Sequence, residues 1–588
     1  MFLRCTSRKK DGKEHRYWNV VENRRVSGGR VVQRQVLYLG EINDCQREAW
    51  RKTIEVLEDG SPLARTMALF PEDRPVAIDD DEVVQIRLKE VELRRPRQWG
   101  ACWLACTLYE QLGLDAFWAE RLPPSRKGTR WDLITQALCC YRLLDPGSEW
   151  RLSRHWYETS AMADLLGAGF ELVEIHKLYE CLDQLLTHKQ ALFDHLTSRW
   201  KDLFNARFDV LLYDLTSTYF ESDPPFAEDD KRKYGYSRDK RSDCVQVVIA
   251  LIVTPEGFPL AYEVMAGNTA DNTTLQGFLK AIEEQYGKAE RIWVMDRGIP
   301  TEAVLEEMRM NNPPVSYLVG TPKGRLTRYE NALTDLPWHK VRDGVDVKLL
   351  SQDPEVYVLA QSQDRIHKER SMRQRQLKRL WKRLHQLKEM ELTRDQVLLK
   401  LGAARNQSPS AWRLVEITLP EGDEPFRFSL RKDRLRKVRR REGRYLLRTN
   451  LVGRDPAEMW EFYTQLVHIE EAFKNLKGDL ALRPIHHQKE RRIEAHIFVA
   501  FMAYTLQVTL RRRLHDLAPG LTPRSVLEKF KTVQMIDVHL PTTDGRNVIM
   551  SRYTQPEPEL QILLERLRLS FPKQSSPRMV VNTPHSSM

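Results

Sequence analysis

The chain lacks the uncharged apolar run of about 18 residues that a membrane-spanning helix requires, and its first residues contain no apolar core of signal-peptide length. Cysteines are also scarce, 8 in 588 residues, and none form C-x-x-C pairs with zinc-binding spacing. These absences argue against a membrane protein, a secreted disulfide-rich protein and a zinc-finger protein. We therefore expect a reduced, cytoplasmic protein, in which Cys102 and Cys106 are buried free thiols.

The composition is that of a large globular protein. Hydrophobic residues make up 41% of the chain, including 14 Trp and 19 Phe, which is enough for well-packed cores. The length predicts about three or four domains or subdomains. The formal charge of +11 indicates a polyanionic partner, because clustered cations gain free energy by releasing counterions from phosphates. The alternative is a soluble protein that is basic for no such reason.

Three patterns of hydrophobicity follow one another along the first half of the chain. Apolar and polar residues alternate over 15–40 around a Ser-Gly-Gly turn at 27–29, which predicts a β-hairpin. Apolar residues then recur with helical period from about 95 to 203. The segment 207–320 reads as three strands, helix, strand, helix, strand. A strand meander followed by alternating helices and strands predicts a mixed sheet with helices packed on it.

Two strongly basic segments follow, 368–388 and 427–449. Charged runs are usually only solvated, but together with the net charge they favour a surface that contacts a phosphate backbone. A long buried helix is expected at 491–514. The basic helix at 368–388 has one apolar face, formed by Leu377, Leu380, Leu384 and Leu387.

The segment 463–477, YTQLVHIEEAFKNLK, reads as one amphipathic helix. Its Tyr463, Glu470 and Lys477 are seven residues apart, and seven residues turn a helix by about 700°, so they are expected on one face. An aromatic hydroxyl, a carboxylate and an ammonium do not suit a core. Taken alone, the stripe is better explained as a solvated face with a charge pair seven residues apart.

Two aspartates adjoin strands that are otherwise apolar, Asp214 in VLLYDLTST and Asp296 in IWVMDRG. A carboxylate there is costly unless it is paired or binds a metal. If the two strands are neighbours, both side chains belong to one site. Glu470 is the candidate third carboxylate. Three carboxylates suit two Mg²⁺ ions, which favour oxygen ligands and promote in-line displacement at phosphorus.

Each carboxylate also has a structural alternative: Asp214 could cap a turn with Thr216, Asp296 could pair with Arg297 or start a turn at Gly298, and Glu470 could be a surface residue. That all three alternatives hold together is less expected, because strand, strand and helix follow in the order a metal site requires. The neighbouring Glu471 is a rival for the third ligand. Helical phase favours Glu470, since Glu471 is rotated by about 100° from Tyr463 and Lys477.

With these residues in place, the chain resembles the DDE transposases of bacterial insertion sequences, in the IS-four superfamily and its long-insertion branch. The pattern of that family around its glutamate is Tyr, two residues, Arg, three residues, Glu, six residues, Lys (the YREK signature). Tyr463, Glu470 and Lys477 match it, while Leu466 stands where arginine is expected. The resemblance extends over about 205–505, through GYSRDKRSDCVQVVIALIVTPEGFPLAYEVMAGNTADNTTL, VMDRG, GRYLLRTN and LALRPIHH, and also includes the N-terminal SGGRVVQRQVLYLG.

The resemblance implies an α/β protein with a ribonuclease-H-like mixed-sheet catalytic core. Asp214, Asp296 and Glu470 would be its catalytic metal ligands, binding two Mg²⁺ ions for which Mn²⁺ is expected to substitute. The reaction implied is hydrolysis at the transposon ends, which frees a 3′ hydroxyl, and then attack of that hydroxyl on target DNA. Tyr463, Lys474 and Lys477 would contact the DNA. Either Lys474 or His468 is a candidate to replace the signature arginine, because Leu466 stands at its position.

The partners implied are the terminal inverted repeats and target DNA, bound by a homodimer in a nucleoid-associated, cytoplasmic setting with no membrane contact. The helical region would bind the inverted repeats. The expected domains are a β-hairpin region at 1–90, a helical DNA-binding domain at 91–204, the first part of the core at 205–325, an insertion at 326–450, the second part of the core with the glutamate helix at 451–515, and a C-terminal region with a disordered tail at 516–588.

Two other functions are compatible with the same residues. A nuclease on the same fold would use the same carboxylates but cut without joining. A transposase-derived DNA-binding protein without catalysis is the second; the intact set of Asp214, Asp296 and Glu470 argues against it, and Leu466 argues slightly for it.

Overall fold

The structure is a computed structural model. It describes most of the chain between the second residue and residue 581, with several gaps. The described residues are 2–10, 13–25, 31–42, 46–47, 50, 85–221, 228–237, 239, 241–270, 275–286, 291–296, 298–321, 328–329, 332–333, 336–352, 354–390, 392–419 and 426–581.

The described residues include 18 strands. They are β1 Phe2–Lys10, β2 Lys13–Arg25, β3 Val31–Gly40, β4 Glu92–Gln98, β5 Val210–Phe220, β6 Val245–Val253, β7 Pro259–Ala266, β8 Ile292–Met295, β9 Ser316–Gly320, β10 His339–Arg342, β11 Val345–Gln352, β12 Glu355–Ser362, β13 Val415–Thr418, β14 Arg427–Leu430, β15 Arg444–Thr449, β16 Gln534–Pro541, β17 Arg546–Tyr553 and β18 Arg578–Val581.

Helices of eight or more residues alternate with these strands or form layers against them. They are α1 Gly100–Gln111, α2 Leu114–Arg121, α3 Trp131–Leu144, α4 Ile175–Leu185, α5 Lys189–Phe204, α6 Leu275–Tyr286, α7 Glu302–Met310, α8 Gln363–Lys388, α9 Arg394–Gln407, α10 Lys432–Arg441, α11 Pro456–Thr464, α12 Leu466–Lys477, α13 Glu490–Leu517, α14 Pro523–Phe530 and α15 Pro558–Leu567.

The chain divides into two compact units. The first unit comprises Met1–Thr6, Arg16–Thr274 and Val467–Met588, and the second comprises Ser7–His15 and Leu275–Leu466. Each unit therefore contains segments that are distant in sequence.

The core of the first unit is built around α13. By length and composition this helix could span a membrane, yet 94% of its most apolar stretch is buried inside the protein. It packs against α1, α3 and α4, and it also supports the sheet, because Phe501 stacks on Tyr262 of β7 with the ring centroids 4.1 Å apart. Trp200 of α5 donates a hydrogen bond from Nε1 to Thr509 Oγ1, 3.2 Å away. α13 is thus the central core helix of its unit.

Strands β5, β6 and β7 of the first unit form the predicted antiparallel meander. Every residue of β6 is buried, as expected for a strand covered on both faces. A second sheet has the order β18-β17-β16-β4, so that strands near the C-terminus pair with one that precedes α1. A third sheet has the order β1-β2-β3, in which β2 and β3 are antiparallel.

The second unit contains a mixed sheet in the order β10-β11-β12-β15-β9-β8. Only β8 and β9 of these strands pair in parallel. Buried polar contacts join its strands, since Arg448 of β15 and Arg309 of α7 both bind the buried carboxylate of Glu355 on β12, at 2.5 and 2.8 Å. Beside the sheet, α8, α9, β13 and β14 enclose a small core of their own that includes Leu380, Leu384 and Leu387.

Most of the predicted elements are confirmed. The protein is mixed α/β, the helices of 95–203 and the long buried helix are present, and the basic helix has its apolar leucine face inside. The two arms of the N-terminal hairpin pair as predicted, whereas its turn at 27–29 lies outside the described residues. The prediction of a disordered tail is wrong for 578–581, which form β18 and pair with β17 because that strand leaves an edge for pairing, and 582–588 lie outside the described residues.

The prediction of one continuous helix over 463–477 is wrong. Tyr463 lies in α11, and α12 begins at Leu466. At Gln465 between them, the backbone N–H donates to the carbonyls of both Glu461 and Phe462, at 3.3 and 3.2 Å. This bifurcated bond tightens the turn and interrupts the helix at Gln465.

Candidate functional site

Asp214 is the fifth of 11 residues of β5, among apolar neighbours. Tyr213 is fully buried and Leu215 nearly so, while Asp214 itself is half-buried. In the ladder with β6 it lies opposite Leu251. The strand fixes the backbone on both sides of Asp214, whose side chain is partly exposed.

Asp296 follows β8 directly, as predicted. The four residues of β8 are buried, and Asp296 is exposed immediately after them. Its carbonyl accepts hydrogen bonds from the backbone N–H groups of Gly298 and Ile299, at 2.9 and 3.3 Å. The chain therefore turns away from the sheet here and leaves the carboxylate at the strand end. Arg297, the residue between them, lies outside the described residues.

The two adjacent glutamates of α12 have different surroundings. Glu470 is exposed and makes no ion pair or hydrogen bond with any described residue. Glu471 forms an ion pair with Arg511 of α13 at 2.9 Å and lies 3.9 Å from His468. The contact with His468 and the charge of Arg511 lower the Glu471 pKa, although partial burial acts against them. Glu471 is thus engaged within the protein, and Glu470 is available for a ligand.

The three residues predicted to contact DNA also differ from one another. Tyr463 is half-buried, and its ring stacks on Tyr445 with a centroid distance of 5.8 Å. Lys474 is exposed on α12. Lys477 ends the same helix with its side chain only 11% exposed, and it forms an ion pair with Asp239 at 3.1 Å. Of the three, Lys474 is the most open to solvent.

The predicted residues are divided between the two units. Asp214, Glu470, Lys474 and Lys477 belong to the first unit, whereas Asp296 and Tyr463 belong to the second. A donor set of three carboxylates fits a hard divalent cation such as Mg²⁺, which prefers oxygen ligands. The exposure of Asp296 and Glu470 is compatible with that fit.

Sequence reasoning missed a buried polar cluster in the first unit. Glu149, His487 and His496 bring potential ligand atoms within 4.8 Å of one another. Arg142 of α3 lies 3.3 Å from His496 Nδ1 and 3.9 Å from Glu149 Oε1. The only sequence signal was the HH pair that contains His487, because Glu149 is 338 residues away along the chain.

The charges in this cluster do not favour a cation. Burial lowers the pKa of His496 to about 4, with the positive charge of Arg142 acting in the same direction. Burial opposes ionisation of Glu149, but its contacts with His487 and His496 outweigh this and hold the Glu149 pKa well below its usual range. The fixed guanidinium of Arg142 already neutralises the carboxylate. The cluster is therefore best described as an internal network that joins α3, α13 and the loop after α12.

Two family models match the chain in comparisons with known proteins. Residues 206–506 match the model described as "Transposase DDE domain", and residues 3–63 match "IS1634 family transposase, N-terminal domain". A search of curated proteins gives no match. Among solved structures, the chain is similar to a piggyBac transposase synaptic complex with hairpin DNA, at 9% identity and a TM-score of 0.33 over 77% of this chain and 82% of that one.

Proposed function

The chain belongs to the DDE transposase family, and from that premise we propose that it cleaves the terminal inverted repeats of an insertion sequence and joins the freed 3′ ends to target DNA. The observation that carries the proposal is the family match over 206–506, which contains all three predicted carboxylates. The family is one of DNA-cleaving and DNA-joining enzymes that use divalent metal ions.

We assign Asp214, Asp296 and Glu470 as the residues that would hold the metal ions, and Mg²⁺ as the ion, with Mn²⁺ able to substitute. Bound Mg²⁺ would supply Lewis-acid activation of the attacking hydroxyl and stabilisation of the leaving oxygen. Three observations support the assignment: Asp214 is a half-buried carboxylate within the apolar strand β5, Asp296 is exposed after β8, and Glu470 is exposed beside Glu471, which is paired with Arg511.

We also propose that the DNA backbone is contacted by Tyr463, Lys474 and Lys477. A phenol hydroxyl and two ammonium groups are ordinary donors to phosphate oxygens. The basic helix α10 is a further candidate for backbone contact, because seven of its 10 residues are Lys or Arg and none of its residues are buried. Contacts of this kind supply affinity without sequence specificity.

The finer classification rests on the signature residues. Tyr463, Glu470 and Lys477 support membership of the IS-four superfamily with its ribonuclease-H-like core, and of the branch with a long insertion, here 326–450. We further propose that the helical domain 91–204 binds the inverted repeats, and that two copies of the chain act together on the two ends. The setting would be the cytoplasm, at the nucleoid.

The test is a cleavage and strand-transfer assay with Mg²⁺, on DNA carrying the inverted repeats that flank the gene. Three proteins are compared: the unmodified chain, Asp296→Ala, and Asp343→Ala as a matched control. Asp343 is 97% exposed and pairs with Lys340, so its removal changes the net charge of the second unit by the same amount. Nicking and joining by the unmodified chain and the control, absent in Asp296→Ala, would support the proposal.

Other results would support the other functions. Cutting without joining would indicate a nuclease. Specific binding of the inverted repeats with neither reaction, in Mg²⁺ and in Mn²⁺, would indicate a DNA-binding protein that has no catalysis.

A further inference from the structure

Two cations near the end of α12 bind one aspartate. Lys477 Nζ donates to both carboxylate oxygens of Asp239, at 3.1 and 3.3 Å. The guanidinium of Arg483, in the loop that follows α12, forms an ion pair with the same carboxylate. The side chains of Asp239 and Lys477 are 12% and 11% exposed, and that of Arg483 is 28% exposed. Lys477 and Arg483 thus form a cationic pair, and the carboxylate of Asp239 lies between them as their shared anionic partner.

The position of Arg483 is fixed by more than this ion pair. Its guanidinium lies over the ring of Tyr219 in β5, 5.8 Å from the centroid. Arg241 lies over the same ring at 4.7 Å and is itself paired with Asp243. Cation–π contacts of this kind hold a guanidinium in place without neutralising it. Arg483 would therefore keep its position and its charge if Asp239 withdrew.

Asp239 belongs to the connection between β5 and β6, which carries exposed aromatic rings. Tyr234 is 54% and Tyr236 is 85% exposed. Exposed aromatic rings stack on unpaired bases in proteins that bind single-stranded nucleic acid. Asp239, which contacts Lys477 and Arg483, thus lies on the same short segment as the two exposed tyrosines.

A carboxylate and a phosphodiester present the same features to a cation: two acceptor oxygens that share one negative charge. We propose that Asp239 occupies the place of a DNA phosphate when DNA is absent, and that Lys477 and Arg483 bind that phosphate of the transposon end once Asp239 withdraws. The inference rests on the proposed function. It assigns Arg483 as the second cation of the end-binding site, in place of the signature arginine that is replaced here by Leu466. It also makes Asp239 an internal competitor of DNA.

The inference predicts that substitutions of the two partners of one ion pair change the affinity for end DNA in opposite directions. Removal of the competitor in Asp239→Asn should tighten the binding of end DNA, whereas Arg483→Gln should weaken it by roughly tenfold and lower the salt dependence of the binding constant by about one counterion. A purely internal ion pair predicts the same sign for both, since either change would only destabilise the fold.

The experiment uses the full chain and measures fluorescence anisotropy of labelled end DNA over a range of salt concentrations, with Ca²⁺ in place of Mg²⁺. Asp243→Asn is the control for Asp239→Asn, because it removes the same charge from the same segment. Arg524→Gln is the control for Arg483→Gln, because Arg524 also pairs with an aspartate, Asp479, and is 75% exposed. Thermal unfolding of each variant is measured in parallel.

Tighter binding by Asp239→Asn than by Asp243→Asn, by about threefold or more, together with weaker binding by Arg483→Gln than by Arg524→Gln, would support the inference. Equal effects of Asp239→Asn and Asp243→Asn would overturn it, as would weaker binding by Asp239→Asn. If Asp239→Asn unfolds too readily to measure, Asp239→Ser provides the same comparison. Failure of the proposed function is a separate result, namely end binding by the unmodified chain without cleavage in Mg²⁺.

Discussion

Arg511 Nη1 lies 2.9 Å from Glu471 Oε2, so the last third of α13 holds the second of two adjacent glutamates on α12. The first of them, Glu470, faces no cation among the described residues. Two neighbouring carboxylates of identical chemistry therefore have different surroundings. Glu471 links α12 to α13, and Glu470 is the one that we propose as a metal ligand.

Glu470→Gln and Glu471→Gln should thus have different effects. We expect Glu470→Gln to lower the rates of cleavage and strand transfer by about 10³-fold or more, because loss of a metal ligand removes several kcal/mol of transition-state stabilisation. Each 1.4 kcal/mol lost, by this estimate, lowers the rate about tenfold. Glu471→Gln should retain most activity and lose less than about 1 kcal/mol of stability, because its ion pair is partly exposed. DNA binding measured beside activity separates the two effects. Normal cleavage by Glu470→Gln with loss in Glu471→Gln would reverse the assignment.

A substitution at Gly320 should act through Tyr463. A methyl group on Gly320 would lie 2.5 Å from the Tyr463 hydroxyl and 3.2 Å from two ring carbons. Gly320→Ala should therefore lower the free energy of unfolding by about 1–3 kcal/mol, and Tyr463→Phe in the same chain should recover part of the loss by removing the closest atom. Gly402→Ala is the control, since a methyl group there meets nothing within 4 Å. Additive losses in the double variant would contradict this contact.

The stability of the protein should fall in mild acid because of His496. The pKa of this buried histidine is lowered to about 4, so the unfolded chain binds a proton below about pH 6.5 that the folded chain does not bind. Stability is therefore complete above pH 6.5 and falls by up to about 1.4 kcal/mol per pH unit as the pH approaches 4. Glu149, whose pKa is also lowered, adds a loss of the same sign at lower pH.

Thermal unfolding between pH 7.5 and 4.5 tests this expectation. His496→Gln should show a flatter pH profile than the unmodified chain, even if it is less stable at pH 7.5. His515→Gln is the control, because its side chain is 69% exposed. Parallel profiles for all three proteins would rule out the buried histidine as the cause.

Neutral substitutions on α10 should weaken the binding of DNA of any sequence. Lys437 and Arg440 are both exposed on this helix, and the double variant Lys437→Gln, Arg440→Gln should lower the salt slope of the binding constant by about 0.9 for each phosphate that the helix no longer neutralises. The control is Lys400→Gln, Arg405→Gln on α9, which removes the same charge from the same unit. Equal slopes for the two double variants would show that α10 makes no special contribution.

Local patterns determined the elements of this protein. The buried strand β6, the buried strand before Asp296, the leucine face of α8 and the apolar α13 were all predictable, because a continuous or periodic apolar pattern can be read from a short stretch of sequence. Asp214 and Asp296 could be named for the same reason, since an acidic residue inside or beside an apolar strand is conspicuous. The break at Gln465 escaped prediction, because a single tightened turn leaves no such trace.

Only the tertiary structure decided which charges neutralise one another. Arg511 meets Glu471, Lys477 meets Asp239 across 238 residues of sequence, and Arg142 enters a cluster with Glu149 and two histidines. Ion pairing depends on distances of a few ångströms between side chains from remote segments, and no local period encodes such distances. The sequence therefore indicated which acids and bases are candidates, and the fold determined which of them are already occupied and which are available to metal and DNA.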